Sequence, residues 1–539
     1  MTSRTHVLCV LLAALALVAA ACSGGSDTDT TAFTDDSTAE PQEVATLDAE
    51  TPATTPETDP ATPESEPAAG PESDTPESEP AAGPESDTAE AEPAVGTGPQ
   101  DPRERGVLRN FLGYEFPPAP DTPTGPIDQA AVDVLEVIWA GLERGGFDGG
   151  VVAALGDTGD PRLAWILSDL LRFFFVGDIH DGAVSAFQRL TGVRLNDDPV
   201  SERSRWQSAT DHLIAWDLPA FPGYADYKKR LFLLVDAGWA PLFADPDATI
   251  DWRLVSWGGV RIDDRPLGDP DACPRGCIPA LDDPAVTGAA GGAWYADDGI
   301  VFAVVVNGEA RAYPRNIMEI HEMVNDTLGG RRIGMPYCTL CGSAQAYFTD
   351  DVPAGVETPV LRTSGLLARS NKVMYDLVTR SVFDTFTGEA ISGPLRERGV
   401  VLNQATVVTT TWGEWKAAHP DTTIIAEDGG IGRSYPLDPL RGRDAGGPIF
   451  PIGDADGTLG VHDQVFGVVL DDGTPVAFPV DAAAATLEAG GRVELAGVTL
   501  RLDGGGVRAV DSAGNEIEGH QAFWFAWSQF IPDTLLWQP

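Results

Sequence analysis

The segment from residue 23 to residue 100 constrains the fold most, because its composition prevents it from forming a packed core. It contains 20 acidic residues and neither Lys nor Arg, and the 13-residue unit PESEPAAGPESDT occurs at 63–75 and again at 76–88. A chain of this kind buries too little apolar surface to offset the entropy lost on ordering. We therefore expect residues 22–100 to be a disordered acidic stalk that acts as a spacer.

The N-terminus has the features of an export signal. Arg4 and His6 precede an apolar run, Val7–Ala21, that is too short to span a bilayer as a helix. Small residues lead directly into Cys22, an arrangement that resembles a lipobox, in which the cysteine is diacylated. We expect a signal peptide at 1–21 and a lipid anchor on Cys22, which would hold the protein to a membrane in the extracytoplasmic cell envelope. The alternative is an ordinary cleaved signal in which this cysteine is incidental.

The charge of the folded part narrows the choice of partners. The whole chain has 35 Lys+Arg and 82 Asp+Glu, which gives a formal net charge of −47. Residues 101–539 hold 62 of the acids and 34 of the bases, so the part beyond the stalk is itself acidic. Nucleic-acid phosphates and anionic lipid headgroups both require basic surfaces. We therefore expect no nucleic-acid partner and membrane contact only through the anchor, while the protein or small-molecule ligand stays open.

The two halves of the folded part differ in hydrophobic periodicity. Residues 101–250 carry helical patterns, for example in Ile127–Leu142 and Tyr227–Ala237. In 251–539 short strands alternate with Gly and Asp turns, and Asn307-Gly308 suits the two positive-φ positions of a type I′ hairpin. The sequence predicts an α+β fold in which an α-helical N-terminal region packs on a larger, mainly antiparallel β domain built of hairpins.

One hairpin pattern occurs twice in the C-terminal half. VFAVVVNGEARAYP at 301–314 parallels VFGVVLDDGTPVAFP at 465–479, with one residue inserted. Both stretches end in an aromatic residue and Pro, and both run into a helix-like segment. We infer a weak internal duplication of a hairpin–helix unit, and the alternative is that two unrelated hairpins share the same turn and strand chemistry.

The most specific chemical motif is the Cys-x-x-Cys pair formed by Cys338 and Cys341. Two cysteines at this spacing bring their sulfurs close enough for a disulfide or for two ligand positions on one metal ion. In a turn, backbone N–H groups after the first cysteine can favour its thiolate. Gly342 then lets the chain turn away. The pair is a candidate catalytic dithiol and, alternatively, a candidate metal site.

A histidine precedes this pair by one predicted helix and one predicted strand. His321 shares the apolar face of its helix with Ile317 and Val324, and such a histidine is more often a hydrogen-bonded core residue than a ligand. Its position in the sequence nevertheless makes it the candidate third ligand to Cys338 and Cys341. Soft sulfur and imidazole donors would suit copper or zinc, so the cofactor stays unknown, with these two metals as the candidates.

The remaining cysteines and methionines allow further alternatives. Cys273 and Cys277 bracket three residues in an Asp- and Pro-rich loop, where they fit a local disulfide or half of a four-cysteine zinc site. A methionine thioether would add a copper ligand, although methionine usually fills gaps in cores; the candidates are Met318, Met323, Met335 and Met374. The chain has no nucleophile elbow, phosphate-binding loop, HExxH zinc motif or dinucleotide fingerprint.

Several blocks of the sequence resemble the bacterial proteins grouped as domain of unknown function 3179. The blocks are WGGV (257–260), IPAL (278–281), GEARAYP (308–314), IHEMVND (320–326), YCTLCGSA (337–344), SGLLARSNKVMYD (364–376), TGEAISGP (387–394), TWGEWKAAHPDT (411–422) and FWFAWSQFIPDT (523–534). The resemblance covers roughly 150–539. Relatives usually have Pro at the position of Thr339 and Trp at that of Ile320.

This resemblance implies no established activity, but it marks His321, Cys338 and Cys341 as the residues to test. It also implies that Cys273 and Cys277 lie outside the usual pattern, which favours a local disulfide between them. Three functional hypotheses follow, and whether the protein is an enzyme stays open. The first hypothesis is a thiol-redox or metal-binding envelope lipoprotein. The second is a non-catalytic envelope binding protein with structural disulfides, and the third is a hydrolase with an unrecognised site.

Overall fold

The computed structural model describes residues 107–539 except 147, 270–272, 274, 275 and 443–445. The expected signal peptide, the lipid on Cys22 and the acidic stalk all lie outside these residues. Within the described part of the chain, no helix combines the length and the apolar character that crossing a membrane requires.

Six α-helices form the N-terminal region of the described chain. They are α1 Gln129–Arg144, α2 Gly149–Ala154, α3 Ala164–Phe173, α4 Asp178–Thr191, α5 Arg205–Ala215 and α6 Tyr224–Val235. The structure confirms the helical prediction, and α1 and α6 lie within two or three residues of the bounds that the apolar spacing indicated. Every residue of α3 and of its neighbour α5 is buried or nearly so, because the other helices and the β domain pack around them.

Antiparallel sheets dominate the rest of the chain, as the sequence predicted. The strands are β1 Val255–Trp257, β2 Leu281–Asp282, β3 Val286–Gly288, β4 Ile300–Val306, β5 Glu309–Pro314, β6 Met323–Leu328, β7 Arg331–Cys338, β8 Ser343–Ala344, β9 Ala346–Phe348, β10 Leu361–Ala368, β11 Asn371–Asp376, β12 Val382–Asp384, β13 Ala390–Ser392, β14 Gln404–Ala405, β15 Val408–Thr411, β16 Thr423–Ile425, β17 Gln464–Val469, β18 Pro475–Pro479, β19 Glu494–Leu495, β20 Val498–Asp503, β21 Gly506–Val510, β22 Glu516–Ile517, β23 Gly519–Phe523 and β24 Leu535–Leu536. The helices among them are α7 Arg315–His321, α8 Pro394–Glu397, α9 Trp412–Ala418, α10 Val480–Glu488 and α11 Trp524–Phe530.

In the described chain these strands make five sheets, of which the first two carry the site. The first has the order β1-β10-β11-β12-β13, and the second has the order β14-β9-β7-β6-β2 with β8 paired to β7. The other three are β15-β4-β5-β16-β3, β23-β17-β18-β24 and β19-β20-β21-β22. The fold class is therefore α+β.

The predicted Asn-Gly hairpin joins β4 to β5. Val306 pairs with Glu309 at the end of the ladder, which leaves Asn307 and Gly308 as the two turn residues. Their φ angles are 50° and 82°. Both residues have the positive φ that a type I′ turn requires, and this is the reason that this dipeptide occurs there.

Two of the sheets share one topology, which extends the duplication inferred from the two hairpins. In the first repeat, β15 pairs antiparallel with β4, β4 antiparallel with β5, and β5 parallel with β16. In the second repeat, β23, β17, β18 and β24 make the same three pairings in the same order. The first hairpin runs directly into α7, and the second runs directly into α10. The antiparallel strands that return to these hairpins, β15 and β23, run into α9 and α11.

A tryptophan–threonine hydrogen bond recurs at the same place in both repeats. The Trp415 indole N–H of α9 donates to Thr422 Oγ1 over 3.0 Å, and the Trp527 indole N–H of α11 donates to Thr534 Oγ1 over 3.0 Å. All four side chains are buried. Each threonine follows a Pro-Asp pair that ends the helical segment and leads into the parallel strand. Identical polar pairs at matching positions of two sheets support a duplication over the chance likeness of two hairpins.

Hydrogen bonds from helical-region side chains hold the β domain where the site lies. The Trp239 indole N–H donates to Ser364 O over 2.7 Å, and Arg172 Nε of α3 donates to Trp257 O over 2.6 Å. The guanidinium of Arg172 also stacks over the rings of Trp206 and Phe450, 4.3 and 5.2 Å from the two ring centroids. The helices thus support the backbone at Trp257 and Ser364, next to the cavity described below.

Candidate functional site

The Cys-x-x-Cys pair closes the tight turn between β7 and β8. Cys338 is the last residue of β7, and Ser343 pairs with it from the other side of the turn. The Cys341 backbone N–H donates to Cys338 O over 3.2 Å, and Gly342 follows with a φ of 58°. An added Cβ at Gly342 would lie 2.8 Å from Gln464 Nε2, so a side chain does not fit there. Local geometry thus brings the two cysteines to one side of the turn.

Both cysteines are free thiols, and both are buried. The exposed fractions are 2% for Cys338 and 0% for Cys341. The Cys338 thiol lies 3.6 Å from Ser370 O, and the Cys341 sulfur lies 3.7 Å from Ser370 Oγ. Ser370 belongs to the turn between β10 and β11, so the first sheet contributes one residue that contacts both sulfurs.

The environment favours charge on one of the two sulfurs. Burial and the negative charge of Glu322 raise the pKa of the Cys338 thiol, but hydrogen bonds from the Cys341 thiol and from the backbone N–H groups of Lys372 and Cys341 outweigh them, so that pKa is lowered. Burial raises the pKa of Cys341 well above its ordinary value, and the neighbouring Cys338 sulfur raises it further. Cys338 is therefore the more acidic thiol of the pair, and Cys341 is the less acidic thiol that donates to it.

A cavity of about 70 Å³ borders Cys338. The ionisable groups on its wall come from Cys338, Glu322 and Lys372, whereas Cys341 does not line it. The other lining residues are Gly258, Val260, Ile278, Thr339, Leu340, Thr363, Ser364, Gly365, Leu366, Leu367, Val373 and Phe450. None of the lining residues is exposed, although Glu322, Leu340 and Phe450 are among those that are half-buried. The cavity therefore gives restricted access to one sulfur of the pair.

A buried ion pair forms the charged side of this cavity. Lys372 Nζ lies 3.3 Å from Glu322 Oε2, and it also donates to the backbone oxygen of Glu322 and, over 3.5 Å, to Tyr337 O. Burial lowers the pKa of Lys372, while the charges of Glu322 and Cys338 oppose that shift. Glu322 ends α7 with a left-handed φ of 51°. The Lys372 side chain therefore lies among acceptors and near the Cys338 sulfur.

A buried network of charged residues supports another part of the cavity wall. Arg362 is fully buried and makes a two-pronged contact with Asp282, with N···O distances of 2.8 and 2.7 Å. The next residue, Thr363, donates from Oγ1 to Ile278 O over 2.6 Å. Thr363 and Ile278 both line the cavity. This network fixes the segment after Cys277 against β10.

The structure does not bring His321 to the cysteines. It lies at the end of α7, where its Nδ1–H donates to Pro279 O over 2.7 Å and its Nε2 accepts from the Tyr435 hydroxyl over 2.7 Å. Burial lowers the pKa of His321 to about 4. Both ring nitrogens are thus committed to protein partners, and the residue does not line the cavity of Cys338. These contacts are those of a hydrogen-bonded core residue and not those of a third ligand to Cys338 and Cys341.

The other sulfur-bearing candidates are also separate from this site. A disulfide joins Cys273 to Cys277, whose Cα atoms are 5.2 Å apart, and it keeps these two from sharing a four-cysteine metal site with Cys338 and Cys341. Among the described residues, the one group of three potential metal ligands combines this disulfide pair with Asp263. The four methionines of the region are fully buried in two apolar clusters. Their packing is that of core residues.

The sequence reasoning left out two groups that define the chemistry. Neither Lys372 nor Glu322 was a candidate, although Lys372 lies in the SGLLARSNKVMYD block and Glu322 in the IHEMVND block. A lysine inside a predicted apolar strand is the signal that could have found the first, since Lys is almost never buried without a partner. Glu322 gave no such signal, because its position depends on a backbone turn.

These observations define a class of protein, namely a mainly antiparallel β domain with a buried dithiol at the wall of a small cavity. Residues 275–512 match the model of the family described as Protein of unknown function (DUF3179). The chain therefore carries a domain of this family, as the motifs had indicated. No curated protein and no solved structure matches the chain.

The family match ends before the second repeat is complete. It stops at residue 512, whereas β23 and β24 at 519–536 pair with β17 and β18 of the same sheet. Removing the last two strands would leave both edges of the β17–β18 hairpin unpaired. The structural unit therefore extends beyond the matched segment.

Proposed function

We propose that Cys338 and Cys341 are a redox couple that cycles between dithiol and disulfide. The observation that carries this proposal is the asymmetry of the pair. Cys338 borders the cavity as the lower-pKa sulfur beside Lys372, while Cys341 lies behind it as a protonated thiol within bonding reach. Attack needs a thiolate with access to the oxidant, and resolution needs a second thiol within reach of the attacked sulfur. The roles of nucleophile and resolving thiol follow from this arrangement.

The reaction transfers two electrons from the dithiol to an oxidant. The Cys338 thiolate attacks the oxidant and forms a covalent intermediate as the first leaving group departs with a proton. Cys341 then loses its proton and attacks the Cys338 sulfur, which expels the second leaving group and forms the Cys338–Cys341 disulfide. Lys372 compensates the thiolate charge before the attack. The disulfide between Cys273 and Cys277 takes no part, since its sulfurs are already joined.

The experiment is a redox titration of the full chain. Samples equilibrated over a series of reduced-to-oxidised dithiothreitol ratios are quenched in acid, alkylated after denaturation and counted by mass spectrometry. We expect two thiols to disappear together in one two-electron transition, and peptide mapping to place the new disulfide at 338–341. Iodoacetamide under native conditions should label Cys338 and leave Cys341 unlabelled.

Two variants serve as controls for this titration. Cys341→Ser should keep the labelling of Cys338 but lose the two-electron transition. The double variant Cys273→Ser/Cys277→Ser should keep the labelling of Cys338 and the two-electron transition. If the wild-type pair stays reduced at every ratio, or stays a disulfide at every ratio, it does not cycle and the proposal is wrong. The second of these results would favour a structural disulfide in a non-catalytic binding protein.

We also propose that the protein is an envelope lipoprotein anchored through Cys22. The basic flank, the short apolar run and the small residues before this cysteine support this location. An extracytoplasmic compartment is one in which both a disulfide and a redox-active thiol pair would function. Cells fed a labelled fatty acid should incorporate it into the wild-type chain but not into Cys22→Ser. Equal labelling of both chains would refute the anchor.

A further inference from the structure

We infer that the oxidant of the Cys338–Cys341 couple is a small hydroperoxide, with hydrogen peroxide as the best fit. This inference rests on the redox couple proposed above and names its substrate class. It is carried by the size of the cavity, by the groups that line it, and by the burial of both sulfurs.

The cavity has room for a small molecule only. Its volume of about 70 Å³ exceeds what one water molecule needs, yet it is far below the roughly 300–1,000 Å³ of pockets that hold drug-sized ligands. Cys338 is 2% exposed, and no residue of the wall is exposed. A disulfide carried by a peptide or by another protein would have to displace wall residues to reach this sulfur, whereas hydrogen peroxide would not.

The charged groups of the wall suit the reduction of a peroxide. The Cys338 thiolate attacks one oxygen of HOOH, the O–O bond breaks, and the departing hydroxide takes a proton from the Lys372 ammonium to leave as water. This step leaves Cys338 as a sulfenic acid, and the lysine recovers a proton from solvent. Lys372 lies on the cavity wall with Cys338, so it is placed to supply that proton.

The second thiol completes the reaction. The Cys341 sulfur attacks the sulfur of the sulfenic acid, the S–O bond breaks, and the hydroxide leaves as water with the proton of the Cys341 thiol. The sum is one peroxide reduced to two waters and one dithiol oxidised to a disulfide. Because Cys341 is fully buried and donates to Cys338, it is in place to trap the sulfenic acid before a second peroxide arrives.

The test compares three oxidants on the reduced full chain: hydrogen peroxide, cumene hydroperoxide and oxidised glutathione. Formation of the 338–341 disulfide is followed by acid quench and mass spectrometry. We expect hydrogen peroxide to react faster than either bulky oxidant by more than about tenfold, as size exclusion by a packed pocket gives. In Cys341→Ser, hydrogen peroxide should leave a Cys338 sulfenic acid that dimedone traps once the protein is unfolded in its presence.

A cavity-opening variant makes the size argument testable by itself. Phe450→Ala removes a half-buried ring from the wall, and Phe243→Ala, which truncates a half-buried ring away from the cavity, is the matched control. The preference for hydrogen peroxide should shrink in the first variant and persist in the second.

The outcomes separate this inference from the function it rests on. Equal rates with hydrogen peroxide and glutathione disulfide would overturn the small-oxidant inference while the redox couple stands. An unchanged preference in Phe450→Ala would overturn it as well, because the cavity would then not set the selection. If neither the dithiothreitol titration nor hydrogen peroxide converts the pair to a disulfide, the redox couple itself fails, and the substrate inference fails with it.

Discussion

Replacing His321 by glutamine should remove a specific part of the acid sensitivity of this protein. The imidazole is neutral in the fold, since its Nδ1–H donates to Pro279 O and its Nε2 accepts from the hydroxyl of Tyr435. Burial holds its pKa at about 4, whereas an unfolded histidine has a pKa of about 6.5. The unfolded chain therefore binds a proton at a pH at which the folded chain does not.

The direction and size of the effect follow from this difference in pKa. Above about pH 6.5 both states hold a neutral imidazole, so the free energy of unfolding does not depend on this residue's titration. As the pH falls from about 6.5 towards 4, protonation favours the unfolded state, and the loss approaches about 3 kcal/mol. Below about pH 4 the folded state is protonated too, and the loss stops growing.

Urea unfolding of wild type and His321→Gln at intervals from pH 7 to pH 4 measures this term. Glutamine retains a donor and an acceptor but does not titrate. The carboxylates titrate in both proteins, so their contribution to the free energy of unfolding drops out when one curve is subtracted from the other. The wild type should lose about 3 kcal/mol more than the variant over this interval. His520→Gln is a matched second case, because burial lowers the pKa of His520 to about 3. A flat difference curve for His321 would refute a buried neutral imidazole.

Two further predictions concern buried polar pairs. Lys228→Met should destabilise the fold by about 3–5 kcal/mol, because the Asp169 carboxylate, 2.8 Å from the ammonium, would be left buried without its cation. In urea unfolding, the double replacement Asp169→Leu/Lys228→Met should recover most of that loss. Thr422→Val and Thr534→Val should each cost about 1–3 kcal/mol by leaving a buried indole N–H unpaired. Clearly unequal losses for the two threonines would argue that the two pairs do not have equivalent surroundings.

Hydrophobic periodicity and turn chemistry were enough to predict the fold class. The helical region and the Asn307-Gly308 hairpin depend on neighbours in sequence, and the structure confirms both. Sheet order could not be predicted in this way. The strand β16 pairs in parallel with β5 across more than a hundred residues, and no local pattern records such a contact.

The candidate site was predictable only where the chemistry is local. The spacing of Cys338 and Cys341 alone indicated that they share a turn. Placing His321 with them required the packing of α7, and the structure turns that ring towards Tyr435 instead. Lys372 reaches Cys338 from another sheet. Tertiary contacts of this kind depend on how sheets meet, and a single sequence does not contain that information.

The duplication has a consequence for the order in which the domain folds. To complete the first repeat, the chain must bring β15 back to the hairpin across 93 residues, from Pro314 to Val408, whereas the second repeat closes across 39, from Pro479 to Gly519. For flexible loops the longer closure costs about 0.8 kcal/mol more in chain entropy. We therefore expect the second repeat to close before the first. Both cysteines lie in the long insertion of the first repeat, so the selectivity for small oxidants that we infer requires that repeat to be closed.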